Sequence, residues 1–203
     1  MSDYILETKN LVKEFRGFVA VSDVNIRVKR GHIHALIGPN GAGKTTFFNL
    51  LTKFLTPTSG KIIFSGVEIT HEQPAQIARR GIIRSFQISA VFPHMTVLEN
   101  VRVALQKRKG DWLNFLYSKR RHSQFDDEAM QLLASVGLDK YAGHLAADLS
   151  YGRKRTLELA TTLAMEPQVL LLDEPMAGMA HEDIDRVAEI IREIGRTRTI
   201  VMV

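Results

Sequence analysis

No cysteine occurs among the 203 residues. Neither a disulfide framework nor a thiolate metal site can therefore be built, an absence that fits a reducing compartment. No apolar run is long enough to span a bilayer. The longest, such as residues 169–172 and 200–203, are strand-length, so any membrane contact would have to go through a partner. The first residues, Met1-Ser2-Asp3-Tyr4, lack the basic and apolar regions of a secretory signal. Internal repeats and low-complexity segments are also missing. What remains is 45% apolar and 24% charged, enough for one domain with a sizeable core and room for an inserted subdomain. The net charge is +5, with basic clusters at Arg79-Arg80, Lys107-Arg108-Lys109 and Lys119-Arg120-Arg121. These are separated, and no aromatic platform is interleaved with them. They read as solvated surface rather than as a nucleic-acid interface, and nucleic acid is not expected as a partner.

Strands are predicted at residues 4–9, 24–28 and 32–37, the last running into a glycine-rich loop. A helix should follow over 44–54, then a turn at Pro57-Thr58-Ser59-Gly60 and a strand over 61–64. From about residue 89 to 166 the chain reads as mainly helical. Thr96-Val97-Leu98-Glu99 has capping-box spacing, so a helix starts at Val97. Ala129, Leu132, Leu133 and Val136 share one helical face, with Gly137 at the stop signal. Ser150 is placed to cap a further helix whose inner face carries Leu157, Ala160, Leu163 and Ala164. The run Val169-Leu170-Leu171-Leu172 has the continuous apolar character of a strand buried on both faces. Ile184, Val187, Ile191 and Ile194 form a helical stripe ending at Gly195, and residues 199–203 read as another buried strand. A core strand as the last element is what a truncated chain would have.

Two sites of chemistry stand out. Gly38-Pro39-Asn40-Gly41-Ala42-Gly43-Lys44-Thr45-Thr46 matches the phosphate-loop pattern between a predicted strand and a predicted helix. Its glycines let the backbone wrap closely round a phosphate, and the amides and positive end of the next helix face the anion. Lys44 adds a point charge for the β- and γ-phosphates. Thr45 offers a hydroxyl to Mg²⁺, and Thr46 can reach an α-phosphate. Asp173 and Glu174 directly follow the buried run 169–172. Ligands in open α/β sheets sit beyond the carboxyl ends of strands. Asp173 then suits the Mg²⁺ shell and Glu174 the attacking water, which points to hydrolysis rather than transfer to a second substrate. The guanine-reading pattern Asn-Lys-x-Asp of a GTPase is absent.

Between these motifs lies Leu149-Ser150-Tyr151-Gly152-Arg153-Lys154-Arg155. It resembles the signature of ABC transporter ATP-binding subunits, usually written LSGGQ. The resemblance extends over essentially the whole chain in the family's order. It implies a single ABC nucleotide-binding domain over residues 1–203. Its fold class is α/β: a P-loop NTPase core with an N-terminal antiparallel β subdomain and a helical subdomain at roughly 89–166. It also implies a second ATP-binding subunit, identical or related, whose P-loop faces Ser150 and Gly152, and transmembrane permease subunits, with this chain cytoplasmic and peripheral on the cytoplasmic face of the inner or plasma membrane. Gln87 looks like the family glutamine that touches Mg²⁺ or the attacking water. Phe15 looks like the aromatic that stacks on adenine, with a core position as the rival reading. Tyr151 and Arg153 depart from the usual Gly and Gln, and Ala180 stands where the family often has Asp. The switch histidine expected after the last strand lies past Val203, so the 203-residue chain itself should turn over ATP poorly.

Residues 11–20, Arg84-Ser85-Phe86-Gln87, residues 95–101, Leu149-Ser150-Tyr151-Gly152 and Glu174-Pro175-Met176-Ala177-Gly178 look most like the branched-chain amino acid uptake subfamily. So does the long spacer between Asn100 and Leu149, with its Trp112-Leu113-Asn114. Urea or amide uptake systems and lipopolysaccharide-export ATPases share much of this. Residues 88–99 are expected to meet a coupling helix of the membrane subunit. The remaining alternatives are a soluble ABC ATPase of repair or translation, a P-loop kinase, and a nucleotide-gated module without turnover. The first lacks here its usual second cassette or coiled-coil insertion.

Overall fold

A computed structural model describes residues 3–85, 91–108 and 125–203. The chain divides into two compact units. The first comprises residues 1–84, 168–174 and 194–203, and the second residues 85–167 and 175–193.

The first unit opens with a long strand, β1 (Tyr4–Phe15), which folds back into β2 (Phe18–Val24). Arg16 and Gly17 have φ of 47° and 91°, so the two-residue link has the left-handed conformations of a type I′ hairpin. β3 (Arg27–Lys29), β5 (Ser59–Phe64) and β6 (Val67–Glu68) complete an antiparallel five-stranded sheet in the order β2-β1-β5-β6, with β3 also on β1. The predicted strand at 24–28 is corrected to two strands broken at Asn25 and Ile26. Asp23 turns to φ 48°, and its side chain receives bonds from Asn10 and Asn25 in place of ladder pairing.

A second sheet has the order β4-β9-β8-β7, formed by β4 (Ile33–Ala35), β7 (Ile82–Ser85), β8 (Val169–Leu172) and β9 (Thr199–Met202). β9 pairs in parallel with both β4 and β8. All of β8 is buried, as its unbroken apolar run requires. Between the sheets in sequence come α1 (Lys44–Leu51) and α2 (Pro74–Arg79). α1 sends Phe47, Phe48, Leu50 and Leu51 into a core shared with Leu6, Ile62, Leu171 and Val201. It ends three residues short of the predicted Phe54. Thr52 turns its hydroxyl back onto the Phe48 carbonyl, and Lys53 adopts φ 63°, which stops the helix.

The second unit is built on helices α3 (Val97–Arg108), α4 (Asp126–Ser135), α5 (Tyr151–Ala164) and most of α6 (His181–Gly195). The capping box at the start of α3 forms as read. The Thr96 amide donates to Glu99 at 2.7 Å, and the Glu99 amide donates to the Thr96 hydroxyl at 3.2 Å. Val101, Leu105, Ala129, Leu133, Leu157 and Ala160 are fully buried. Ion pairs lace the helices: Arg102 with Asp126, and Arg108 with Glu128 at 2.7 Å and Glu166 at 3.1 Å. Among the described residues no helix is long and apolar enough to cross a membrane.

Candidate functional site

The glycine-rich loop joins β4 to α1. Gly43 is the N-cap of α1 in the left-handed region, at φ 82° and ψ 7°, and no side chain caps the first turn. A β-carbon at Gly43 would lie 2.2 Å from the Ala20 carbonyl oxygen. Both the backbone angle and the close approach therefore demand glycine. The first intrahelical bond runs from the Phe47 amide to the Gly43 carbonyl at 2.8 Å. The amides at the head of α1 have no intrahelical acceptor, and they are the donors an anion would use. Lys44 folds back over the loop, its ammonium donating to the carbonyls of Gly38 at 2.7 Å and Pro39 at 2.8 Å. Pro39, Asn40, Gly41, Ala42 and Thr45 are exposed, and Thr46 is half-buried.

Register places the acids at the same sheet edge. Ala35 of β4 and Leu172 of β8 both pair with Met202 of β9. The Leu36 amide donates to the Met202 carbonyl at 2.8 Å, and the Val203 amide to the Leu172 carbonyl at 3.0 Å. The loop and Asp173-Glu174 thus leave the sheet at one level, two strand spacings or about 10 Å apart. Asp173 is buried at 1% exposure. Its Oδ2 accepts from Nη2 of Arg84, the third residue of β7, while its Oδ1 is buried without a hydrogen-bond partner. Arg84 also donates through Nη1 to the side-chain oxygen of Asn49 on α1. A buried carboxylate oxygen with no donor is costly, and a hard cation is the partner such an oxygen fits. Glu174 is exposed and held at φ 45°, a sparsely populated conformation for a non-glycine residue.

Phe15 stands at the tip of the β1–β2 hairpin, 40% exposed, opposite Phe18 at 66%. The core reading for Phe15 is set aside. Lys13 places its ammonium 4.9 Å from the Phe15 ring centre, a cation–π contact. Gln87 lies outside the described residues, as do Trp112-Leu113-Asn114. Sequence reasoning quoted Arg84 only as part of a segment and passed over Asn49. The one available signal was a lone charge beside the apolar pair Ile82-Ile83 at the end of a short strand.

In the second unit Ser150 is the N-cap of α5, its hydroxyl accepting from the Arg153 amide at 3.5 Å. Gly152 faces Asp183 of α6 so closely that a β-carbon there would lie 2.1 Å from the carboxylate. Tyr151 donates its hydroxyl to the Ala177 carbonyl at 3.3 Å, and Arg153 stacks its guanidinium 4.4 Å from the Tyr141 ring centre. The two departures from the usual signature thus each have a packing role within this unit.

Comparison with known proteins agrees with this geometry. The profile of the family described as "ABC transporter" matches residues 21–177. The high-affinity branched-chain amino acid transport ATP-binding protein LivG of Escherichia coli is 39% identical, over 96% of this chain and 78% of that protein. BraF of Pseudomonas aeruginosa, which carries the same description, is 38% identical over the same shares. Among solved structures, an ATP-binding cassette of an ABC transporter in its ADP conformation aligns over 99% of this chain and 80% of its own, with a TM-score of 0.83 and 27% identity. CbiO1 from Clostridium perfringens, part of an ABC transporter complex, aligns with a TM-score of 0.82 and 28% identity over 99% of this chain and 78% of its own. A phosphate loop and an acid-ended buried strand at one edge of a parallel sheet, a capped signature helix and these likenesses agree: the chain belongs to the ABC transporter family and is one of its ATP-binding cassettes.

Proposed function

We propose that this chain is the ATP-hydrolysing subunit of a solute-uptake transporter for branched-chain amino acids. The observation that carries the reading is the shared pairing of Ala35 and Leu172 with Met202. It gives the loop at residues 38–46 and the acids after β8 a common edge on which to meet one nucleotide. Lys44 exchanges two neutral carbonyl partners for the β- and γ-phosphate oxygens, and the amides at the head of α1 take the rest. Thr45 and Asp173 suit Mg²⁺, since a hydroxyl and a buried carboxylate with an unmatched oxygen are hard oxygen donors. When bound, the ion neutralises charge building on the phosphates. Glu174 orients water and accepts its proton, and Gln87 completes the metal and water contacts. Phe15, exposed on its hairpin, stacks on the adenine. Ser150 and Gly152 serve the nucleotide of a second cassette, and the pair works beneath permease subunits on the cytoplasmic face of the membrane. The amino-acid cargo rests on the likeness to LivG and BraF.

The test is binding and turnover in the complex with its permease. Lys44→Ala should weaken ATP binding about 10- to 100-fold, the loss of a charge-assisted contact of about 1.5–3 kcal/mol. Glu174→Gln should retain the nucleotide but cut turnover by about 10²- to 10⁴-fold. Turnover raised by leucine, isoleucine or valine supports the cargo. Turnover raised only by urea or an amide replaces it. Unchanged affinity in Lys44→Ala removes the reading.

A further inference from the structure

We propose that Arg84 is a positioning residue that sets Asp173 for metal capture, holding one carboxylate oxygen so that the other is presented to the ion. The proposal rests on the reading of Asp173 as the magnesium carboxylate. The two oxygens of this buried side chain are unlike: Oδ2 takes Nη2 of Arg84, and Oδ1 is buried and unmatched. The guanidinium does not depend on Asp173 for its place. Its other arm reaches Asn49 on α1, its Cζ lies 5.7 Å from the Phe48 ring centre, and its side chain is only 9% exposed. Helix α1 begins at Lys44 of the phosphate loop. The path Asn49–Arg84–Asp173 therefore ties the helix that carries the loop to the acid that ends β8.

The rival is that Arg84 stands in for the cation and competes with it. Arginine that pairs with a carboxylate for its own sake commonly engages both oxygens with parallel donors. Here each arm serves a different partner and one oxygen is left over. That is the pattern of an outer partner orienting a ligand, and such partners typically contribute 10- to 100-fold to metal affinity. Arginine's rigid fork suits the task, because one planar group fixes two acceptors at a set angle.

The experiment uses the intact protein and follows a fluorescent ATP analogue as Mg²⁺ is titrated in. Arg84→Gln should raise the Mg²⁺ concentration at half-saturation about 10- to 100-fold, with Mg²⁺-free nucleotide affinity essentially unchanged. Arg84→Lys, which keeps the charge but not the fork, should fall between, and Asn49→Ala should move the same way by less. A folded Arg84→Gln protein with an unchanged or lowered half-saturation overturns the proposal, a lowered value marking Arg84 as a competitor. If Arg84→Gln does not fold, Asn49→Ala decides by the same criterion. Asp173→Asn separates the levels. If it leaves half-saturation untouched, the metal role of Asp173 fails and the proposal with it. If it raises half-saturation while Arg84→Gln does not, only the role of Arg84 falls.

Discussion

Lys53 sits where a helix stop favours glycine, at φ 63° with its amide donating to Leu50 at 3.2 Å. It is 8% exposed, its ammonium has no hydrogen-bond partner, and burial lowers its pKa from the ordinary lysine value. Both features oppose folding at neutral pH. Lys53→Gly relieves a left-handed strain of about 1 kcal/mol and removes the buried charge. Urea denaturation should show a gain of about that size. The pH dependence has a definite sign. Between the lowered folded value and the ordinary one, the unfolded chain holds a proton that the folded chain gives up, so stability rises with pH across that interval. The advantage of Lys53→Gly should shrink over the same range. At this scale the sequence was legible only where function is written contiguously. Residues 38–46 carry their meaning in their order, and Asp173-Glu174 are announced by the apolar run before them. Arg84 was not legible because its partners Asn49 and Asp173 are 35 and 89 positions away.

Helix ends decide much at the level of elements. The carbonyl of Ala180 accepts from the amides of Asp183 at 3.0 Å and Ile184 at 3.2 Å, which makes Ala180 the N-cap of α6 with no side chain to give. Ala180→Asp or Ala180→Asn supplies an acceptor for the first turn and should stabilise the protein by about 1 kcal/mol, read as a shift in chemical denaturation. The acidic first turn at Glu182 and Asp183 already favours the helix dipole, so Ala180→Asn is the better choice. Elements with strong periodicity or caps were readable in advance: α3 from Thr96 and Glu99, α4 up to Gly137, and α6 along its isoleucine stripe. The β1–β2 hairpin was not. Register shifts between Leu11 and Lys13 and between Lys13 and Glu14 break the alternation that marks a strand. The link Arg16-Gly17 is also a weaker hairpin signal than Asn-Gly.

At the scale of the molecule, charge proved less informative than position. Two of the basic clusters contain an arginine with a neutralising partner, Arg80 held by both oxygens of Glu72 and Arg108 by Glu128 and Glu166, while Lys119-Arg120-Arg121 lies outside the described residues. The pairs of Arg108 join residues distant in sequence, and composition alone could not reveal them. A nucleotide bound by the folded loop but not by the unfolded chain must stabilise the protein. ATP with magnesium at a hundredfold excess over its Kd should contribute about 2.7 kcal/mol. That corresponds to roughly 5–10 °C in thermal unfolding for a chain of this length, and Lys44→Ala, with its Kd raised about 10- to 100-fold, should lose about half to five-sixths of the shift at the same ligand concentration. The strand that organises the site carries none of the motifs. β9 separates the strand that leads into the loop from the strand that ends at Asp173 and Glu174, and its Met202 is the common rung against which both are set. Anyone grafting this loop and acid pair onto another scaffold would have to transplant β9 as well, because the loop-bearing and acid-bearing strands do not pair with each other and a foreign spacer would reset the gap between them.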